Sequence, residues 1–531
     1  MLHPEGWQGS QKGVYSLIRL LAVFLLLLVT GCQQAGQHDN KGKNTQTFSK
    51  GKASVLVDAD TIRLLLREMA QNEQPVTYAD YRVSDYYQRP LEELLWIDYL
   101  GADQRSDSLL FYLQQIEGEG FSPRAFYVDD IRRDLQLLRD MNYGKGSDDL
   151  NHLVARLEYR LTKACLRYCY GQRFGFVNPH RIFNHLDMEP RDSLHPGVRY
   201  RGLFDMNMDL PTQEYAEQLY GMIAHDSIAW HLRDIQPKSA MYFKLKELLA
   251  NASTDEQRQR VLCNMERCRW RLHQPIPDEG KRIIVNIPAF HLYAYNADSV
   301  LDMRVVCGAI STKTPLLTSE MEWMEVNPKW VIPKSILEKD VAHRAGDSAY
   351  FARNHYEIYN RATNEQIAVG QVTRSMLLSG KYRVAQTSGS HNSLGRIVFR
   401  FKNNFSVYLH YTSSPGVFQR DNRAVSHGCV RVQRPFELAQ FVLDQPDEWL
   451  LDRISISMDL GARTERGRRY LATHRDEEDH KLIGYVPVKP RVPLYIIYYT
   501  LWPDEHGTIQ TWPDVYGYDH VVLQHLQPFL P

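Results

Sequence analysis

The sequence predicts an α+β protein of more than one domain, a helical scaffold followed by a mainly β domain that carries a helical, polar insertion. Apolar residues recur at helical spacing through much of 56–275. From about Lys281 the chain turns to β-branched and aromatic runs broken by Asn, Gly and Pro. The 531 residues also exceed what one core holds, so two or three units are expected. Lys plus Arg and Asp plus Glu balance at 63 each. With no polybasic tract, nucleic acid is excluded as a partner, because it demands a concentrated basic surface.

At the start, Lys12 and Arg19 precede the apolar core Leu20 to Val29, and Thr30, Gly31 and Cys32 follow. That is the layout of a secretory signal, and the core falls short of the roughly 20 apolar residues of a spanning helix. Val29-Thr30-Gly31-Cys32 resembles the bacterial lipobox, which implies a signal peptide over 1–31 and lipidation of Cys32 as the mature N-terminus. The other reading is a signal anchor with an incidental cysteine. Acyl chains on Cys32 would tie the protein to a membrane without a transmembrane helix, placing it in the periplasm. Residues 32–55, rich in Gln, Gly, Asn, Lys and Ser, read as a flexible tether.

The scaffold follows over 56–275. Ser106 or Asp107 can cap a helix with Leu109, Leu110, Leu113 and Ile116 on one stripe and Gly118 as breaker. Ser147 begins a longer helix through Leu150, Leu153, Leu157, Leu161 and Cys165, with Gly171 at its stop. Met222 to Arg271 carries further helical signals. No polar site of recognisable geometry stands out here, so no chemistry is expected from this part.

The mainly β region is placed at 280–460. Arg282 to Tyr295 reads as a strand, Asn296-Ala-Asp298 as a turn and Val300 to Gly308 as its hairpin partner. Thr314-Pro315 and Asn327-Pro328 mark turns between short strands. A polar, helical stretch at 337–385, with Ala349 to Arg361 inside it, reads as a lid-like insertion. Ile397, Phe399 and Phe401 alternate in a strand. In the next, Ser406 to His410, Tyr408 and His410 share the face turned away from the core. Pro435 opens a helix, and Leu451 to Met458 reads as another strand. Over 461–531 a charged excursion, Thr464 to Lys481, leads to a last hairpin of Val492 to Trp502 with Thr508 to Trp512, completing the β domain.

Cysteine usage singles out one thiol. Cys165 with Cys169, and Cys263 with Cys268, lie at spacings that admit a metal site or cross-link, but their helical setting favours buried structural thiols. Cys307 falls in a strand as core. Only Cys429 has histidines around it, in Ser426-His427-Gly428-Cys429-Val-Arg431 with His410 on the strand before. A thiolate needs a nearby base or cation to be populated at neutral pH, and a glycine before the nucleophile lets backbone amides converge on an oxyanion. By itself such a tetrapeptide is more often a buried cysteine in a turn.

His410, sixteen residues and then Ser426-His427-Gly428-Cys429-Val-Arg431 resembles the signature of L,D-transpeptidases with the YkuD-type catalytic domain. Val285-Asn286-Ile287-Pro288, Lys313-Thr314-Pro315, Val326-Asn327-Pro328-Lys-Trp330, Asn392-Ser-Leu394-Gly395 and Asp514-Val-Tyr516-Gly-Tyr518 resemble the large YcbB-like branch of that family, and Leu157 to Pro179 resembles its helical scaffold. The chain departs at Tyr411, where many relatives carry an acidic residue or Gly, and it shows no helical-repeat module for binding peptidoglycan.

The resemblance implies an acyltransferase without cofactor or metal. Cys429 would attack a peptidoglycan tetrapeptide stem, the donor, and release its terminal D-Ala. A second stem, the acceptor, would resolve the thioester to a 3→3 cross-link. His410 would be the base. Ser426, His427, Gly428 and Arg431 would support the oxyanion pocket and loop, with Arg431 also placed to hold a substrate carboxylate, and Tyr408 would line the donor groove. Carbapenem-type inhibitors are expected to acylate Cys429.

Rival readings use the same residues. Water could resolve the thioester, giving an L,D-carboxypeptidase or amidase. His410, His427 and Cys429 could ligate zinc in a hydrolase. A non-catalytic wall-binding lipoprotein is the third alternative, against which the intact Cys-His pair argues.

Overall fold

The computed structural model describes residues 45–50, 53–98, 101–102, 104–143, 149–189, 198–277, 279–297, 299–475, 480–504 and 506–531. The expected signal peptide, Cys32, most of the tether, Ser147 and Asp298 lie outside the described residues. Among those described, no helix is long and apolar enough to cross a membrane.

The helical half is built on Leu150–Phe174, whose side chains are buried around most of its circumference. Asp149 caps it, accepting from the His152 amide at 3.0 Å. The helix runs past Gly171, where the sequence suggested a stop. Gly171 is there for packing instead, since a Cβ would lie 2.2 Å from the Phe176 ring. The terminator is Gly175, at φ +89°. Ala59–Asn72, Tyr78–Gln88 and Val128–Arg139 pack around this central helix. The helix expected from Ser106 spans Gln104–Leu113, so Ser106 and Asp107 sit in its first turn, and Ile116 opens a separate 3-10 turn. Met222 to Arg271 resolves into the end of Gln213–Ala224 followed by Ile228–Asp234, Ala240–Ala250 and Asp255–Arg269.

In the β half, eight strands close into a barrel-like mixed sheet. In spatial order they are Ile397–Phe401, Leu409–His410, Val430–Val432, Ser299–Gly308, His291–Asn296, Arg282–Asn286, Tyr485–Ile497 and Leu316–Val326, the last pairing back onto the first. Ala424–Ser426 adds to the Ser299–Gly308 strand, and Phe204–Asp205 of the helical half adds in parallel to Leu316–Leu317. The two halves therefore share a sheet edge as well as one apolar core.

Several expectations for the β half change. Arg282 to Tyr295 is two antiparallel strands, because Pro288 and a left-handed Phe290 (φ +52°) reverse the chain between them. Leu451 to Ser457 lies in the helix Glu448–Ser457, with Met458 as its C-cap. Asp447 caps the start, and burial on several sides gives Ile454 and Ile456 a false two-residue period. The last long strand stops at Ile497, and the terminal hairpin is the short pair Leu501–Pro503 and Ile509–Thr511. The insertion is less helical than it read. Trp330–Val331, Tyr356–Asn360, Gln366–Ile367 and Tyr382–Gln386 form an antiparallel sheet around their own core of Ile332, Leu337, Phe351, Ile358 and Val384. Ala349 to Arg361 breaks at His355 (φ +54°), after which Tyr-Glu-Ile-Tyr alternates as a strand.

Candidate active site

Strand register gathers the chemistry. Leu409 pairs with Val430 and His410 with Arg431, in parallel. Leu409 and Val430 point into the barrel core, both fully buried. Alternation then puts Tyr408, His410, Cys429 and Arg431 together on the opposite face. On the other flank His410 pairs with Val398, and Arg400 reaches over the Tyr408 ring, 4.4 Å from its centroid. Glu325 holds Arg400 through both carboxylate oxygens, at 3.2 and 3.1 Å.

The strand carrying His410 is shorter than Ser406 to His410. Ser406 is left-handed (φ +55°), and Asn403 ties the turn before it by accepting from the Phe405 and Val407 amides. His410 does face away from the barrel core, as the alternation implies, yet it is only 5 % exposed. The Asn392–Gly395 turn covers it. Asn392 is buried and donates to the Pro328 and Thr387 carbonyls. At Gly395 (φ +66°) a Cβ would meet the Thr412 amide at 2.7 Å, so only glycine lets this turn close on the strand end.

Burial is the main reason the His410 pKa falls to about 3, and the Arg431 charge adds to it, while the Leu394 and Tyr411 backbone pulls the other way. Burial likewise pushes the Cys429 thiol up, opposed by the backbone and hydroxyl of Tyr408 and by the charges of Arg400 and Arg431. The resting pair is a neutral imidazole and a neutral thiol. An imidazolium that depresses the thiol is not the state this environment favours.

The Ser426–Cys429 turn is tied from beneath. The Ser426 hydroxyl donates to the Cys429 carbonyl at 2.6 Å and accepts from the Gly428 amide at 3.2 Å. The Gly428 N–H is thus already engaged, and the amides left for an oxyanion are those of His427 and Cys429. Gly428 sits at φ +113°, a conformation a side chain would strain. His427 is exposed on the turn, apart from buried His410. Among the described residues no three His, Cys, Asp or Glu side chains gather as a metal-binding group.

Tyr408 is half-buried, and its ring meets the His410 ring edge-on with centroids 5.7 Å apart. Arg431 is half-buried. Trp330, Arg400, Asn392, Gly395, Thr314 and Tyr516 were not singled out individually from sequence. Most of them lay inside stretches that carried the family resemblance, and that was the available signal.

Residues 280–456 match the L,D-transpeptidase catalytic domain family, YkuD, and residues 81–249 match a scaffold domain family. Residues 280–456 thus carry an L,D-transpeptidase catalytic domain of the YkuD type. A Haemophilus influenzae protein named as a candidate L,D-transpeptidase is 30 % identical over 266 residues, 50 % of this chain and 49 % of that protein. The chain thus spans about half the length of the curated relative it matches. The matched catalytic region contains His410 and Cys429 as well as the insertion strands, from Trp330 to Gln386. The other cysteines stand away from this chemistry: Cys165, Cys169, Cys263 and Cys307 are buried, with burial pushing Cys307 up to about 12.

Proposed function

We propose that this transpeptidase forms 3→3 peptidoglycan cross-links through a thioester on Cys429. The observation that carries the reading is the shared face of Tyr408, His410, Cys429 and Arg431, with imidazole and thiol both neutral. A neutral imidazole is the form able to accept the thiol proton. As Cys429 Sγ bonds to the carbonyl carbon of the third stem residue, His410 takes the thiol proton. The tetrahedral oxyanion forms against the His427 and Cys429 amides. Its collapse breaks the bond to D-Ala, whose amine leaves with the proton from His410. An acceptor side-chain amine then attacks the thioester carbonyl, His410 takes its proton, and the thiol is regenerated by that proton. Arg431 offers a half-buried guanidinium for a stem carboxylate, and Tyr408 with Trp330 lines the donor side.

The test is mass spectrometry after incubation with a disaccharide-tetrapeptide. A 3→3 dimer is expected. Tripeptide as the sole product would mean hydrolysis and would overturn transpeptidation. A carbapenem is expected to add to Cys429 and to leave Cys429→Ala unmodified. His410→Ala should slow acylation by about 10² to 10⁴, the usual worth of a proton-transfer partner. The reading includes export and lipidation at Cys32 in the periplasm. Acyl-chain labelling lost in Cys32→Ser checks that part.

A further inference from the structure

One loop of the barrel, 309–314, holds the nucleophile turn, and the scaffold holds that loop. The Ala309 amide and the Thr312 hydroxyl both donate to the Ser426 carbonyl, at 2.9 and 2.8 Å. The Thr314 hydroxyl donates to the Gly428 carbonyl at 2.8 Å and accepts from the Gly308 amide at 2.8 Å. Thr314 is fully buried. Its own amide donates to the Tyr516 hydroxyl, which in turn donates to the Gly308 carbonyl at 2.6 Å.

A trans peptide sets its C=O and N–H antiparallel. Pinning the Ser426 and Gly428 carbonyls down onto this loop therefore turns the His427 and Cys429 N–H groups away from it. Those are the two amides of the turn that Ser426 leaves unengaged. Between the two threonines stands Lys313, 8 % exposed, whose ammonium meets both carboxylate oxygens of Asp187 at 2.6 and 2.7 Å. Asp187 belongs to the scaffold, just after the helix Pro179–Phe183. Its carbonyl accepts from the Arg201 amide, and the Arg201 guanidinium donates to the Ser311 carbonyl at 2.5 Å. Two scaffold side chains thus grip the loop on either side of Thr312.

We infer that Thr314, with Lys313 anchored by Asp187 of the scaffold, is the positioning device that aims the oxyanion-binding amides. The inference rests on Cys429 being the acyl-carrying nucleophile. It makes the scaffold a working part of the catalytic turn rather than a separate support.

An oxyanion device separates two reactions of one thiol. Attack on a carbonyl builds an oxyanion, whereas displacement of iodide from iodoacetamide does not. The experiment follows both on the full chain, as Cys429 modification by mass, with a carbapenem as the carbonyl electrophile. Thr314→Val should slow carbapenem acylation about 10²-fold, the scale of one lost oxyanion donor, with iodoacetamide alkylation unchanged. Thr314→Ser should restore acylation. Lys313→Met and Asp187→Asn should each slow acylation by about ten- to a hundredfold, and the double variant should be no slower than the worse single one, since both break one pair. Parallel loss of both reactions, or unchanged acylation in Thr314→Val, overturns the inference. If the parent alkylates but is never acylated, the reading of Cys429 fails first and takes the inference with it.

Discussion

His410 and Arg431 stand opposite each other on neighbouring parallel strands, and the guanidinium charge helps hold the buried imidazole neutral. Like charge disfavours a second cation nearby, so Arg431 helps keep the His410 imidazole neutral into acid, the form the proposed base requires. Removing the charge should raise the His410 pKa. The acid limb of the acylation rate should then move to higher pH in Arg431→Met and stay near its parent position in Arg431→Lys. Carbapenem acylation in short pulses from pH 2.5 to 8 checks this. A limb that does not move in Arg431→Met would assign the low His410 pKa to burial alone.

The same depressed pKa has a consequence for stability. In the unfolded chain His410 titrates near its ordinary value of about 6.5, whereas in the fold it stays neutral down to about 3. Between those values the unfolded state binds the extra proton, so the stabilisation is full above 6.5 and is lost as pH falls toward 3. At pH 5 the loss from this group alone should be about 2 kcal/mol relative to neutral pH. Denaturant melts of parent and His410→Asn should therefore differ in slope with pH, the variant losing less stability between pH 7 and 5. Identical slopes would mean that the imidazole is not held neutral.

Much of this arrangement was legible because the motif is local. Ser426, Gly428 and Cys429 lie within four residues, and the alternation around Tyr408 and His410 gave their shared face from a period of two. Partners contributed from far along the chain were not legible. Asp187 is 126 residues from Lys313, and Tyr516 is 202 from Thr314. The burial of His410 also depends on Asn392–Gly395, a turn whose role is visible only once it folds over the strand. Leu451 to Met458 failed for the opposite reason. A helix buried on several sides loses its polar stripe, and with it the 3.6-residue signal.

That turn yields a sharp test. Gly395 at φ +66° lies so close to the Tyr411–Thr412 backbone that a Cβ would fall 2.7 Å from the Thr412 nitrogen. The Tyr411 Cβ and carbonyl carbon lie within 2.9 Å as well, so all three contacts are backbone or Cβ and nothing flexible can give way. Gly395→Ala should destabilise the protein by roughly 1–3 kcal/mol and displace the Leu394 carbonyl that favours protonated His410. The measurable outcome is a lower melting temperature together with slowed carbapenem acylation. Loss of stability with unchanged acylation would separate the turn from the imidazole.

The chain's end is as integral as its middle. After the helix Tyr518–Leu526, Phe529 inserts among Phe121, Phe126 and Phe176, with ring centroids 4.8–6.2 Å apart, and its carbonyl accepts from the Ser122 amide at 2.7 Å. Phe529 is 3 % exposed. Tyr516 and Asp519 are close behind it in sequence, the first beneath Thr314 and the second paired with buried Arg267 at 2.6 Å. The C-terminal segment thus runs from the 309–314 loop into the scaffold and packs against both. Phe529→Ala should cost about 3–5 kcal/mol, the range for deleting a buried ring. Because Tyr516 rides on the same segment, carbapenem acylation should slow in the variant at temperatures well below its melting point. A variant that melts early yet acylates at the parent rate would show that the segment stabilises the fold without shaping the turn.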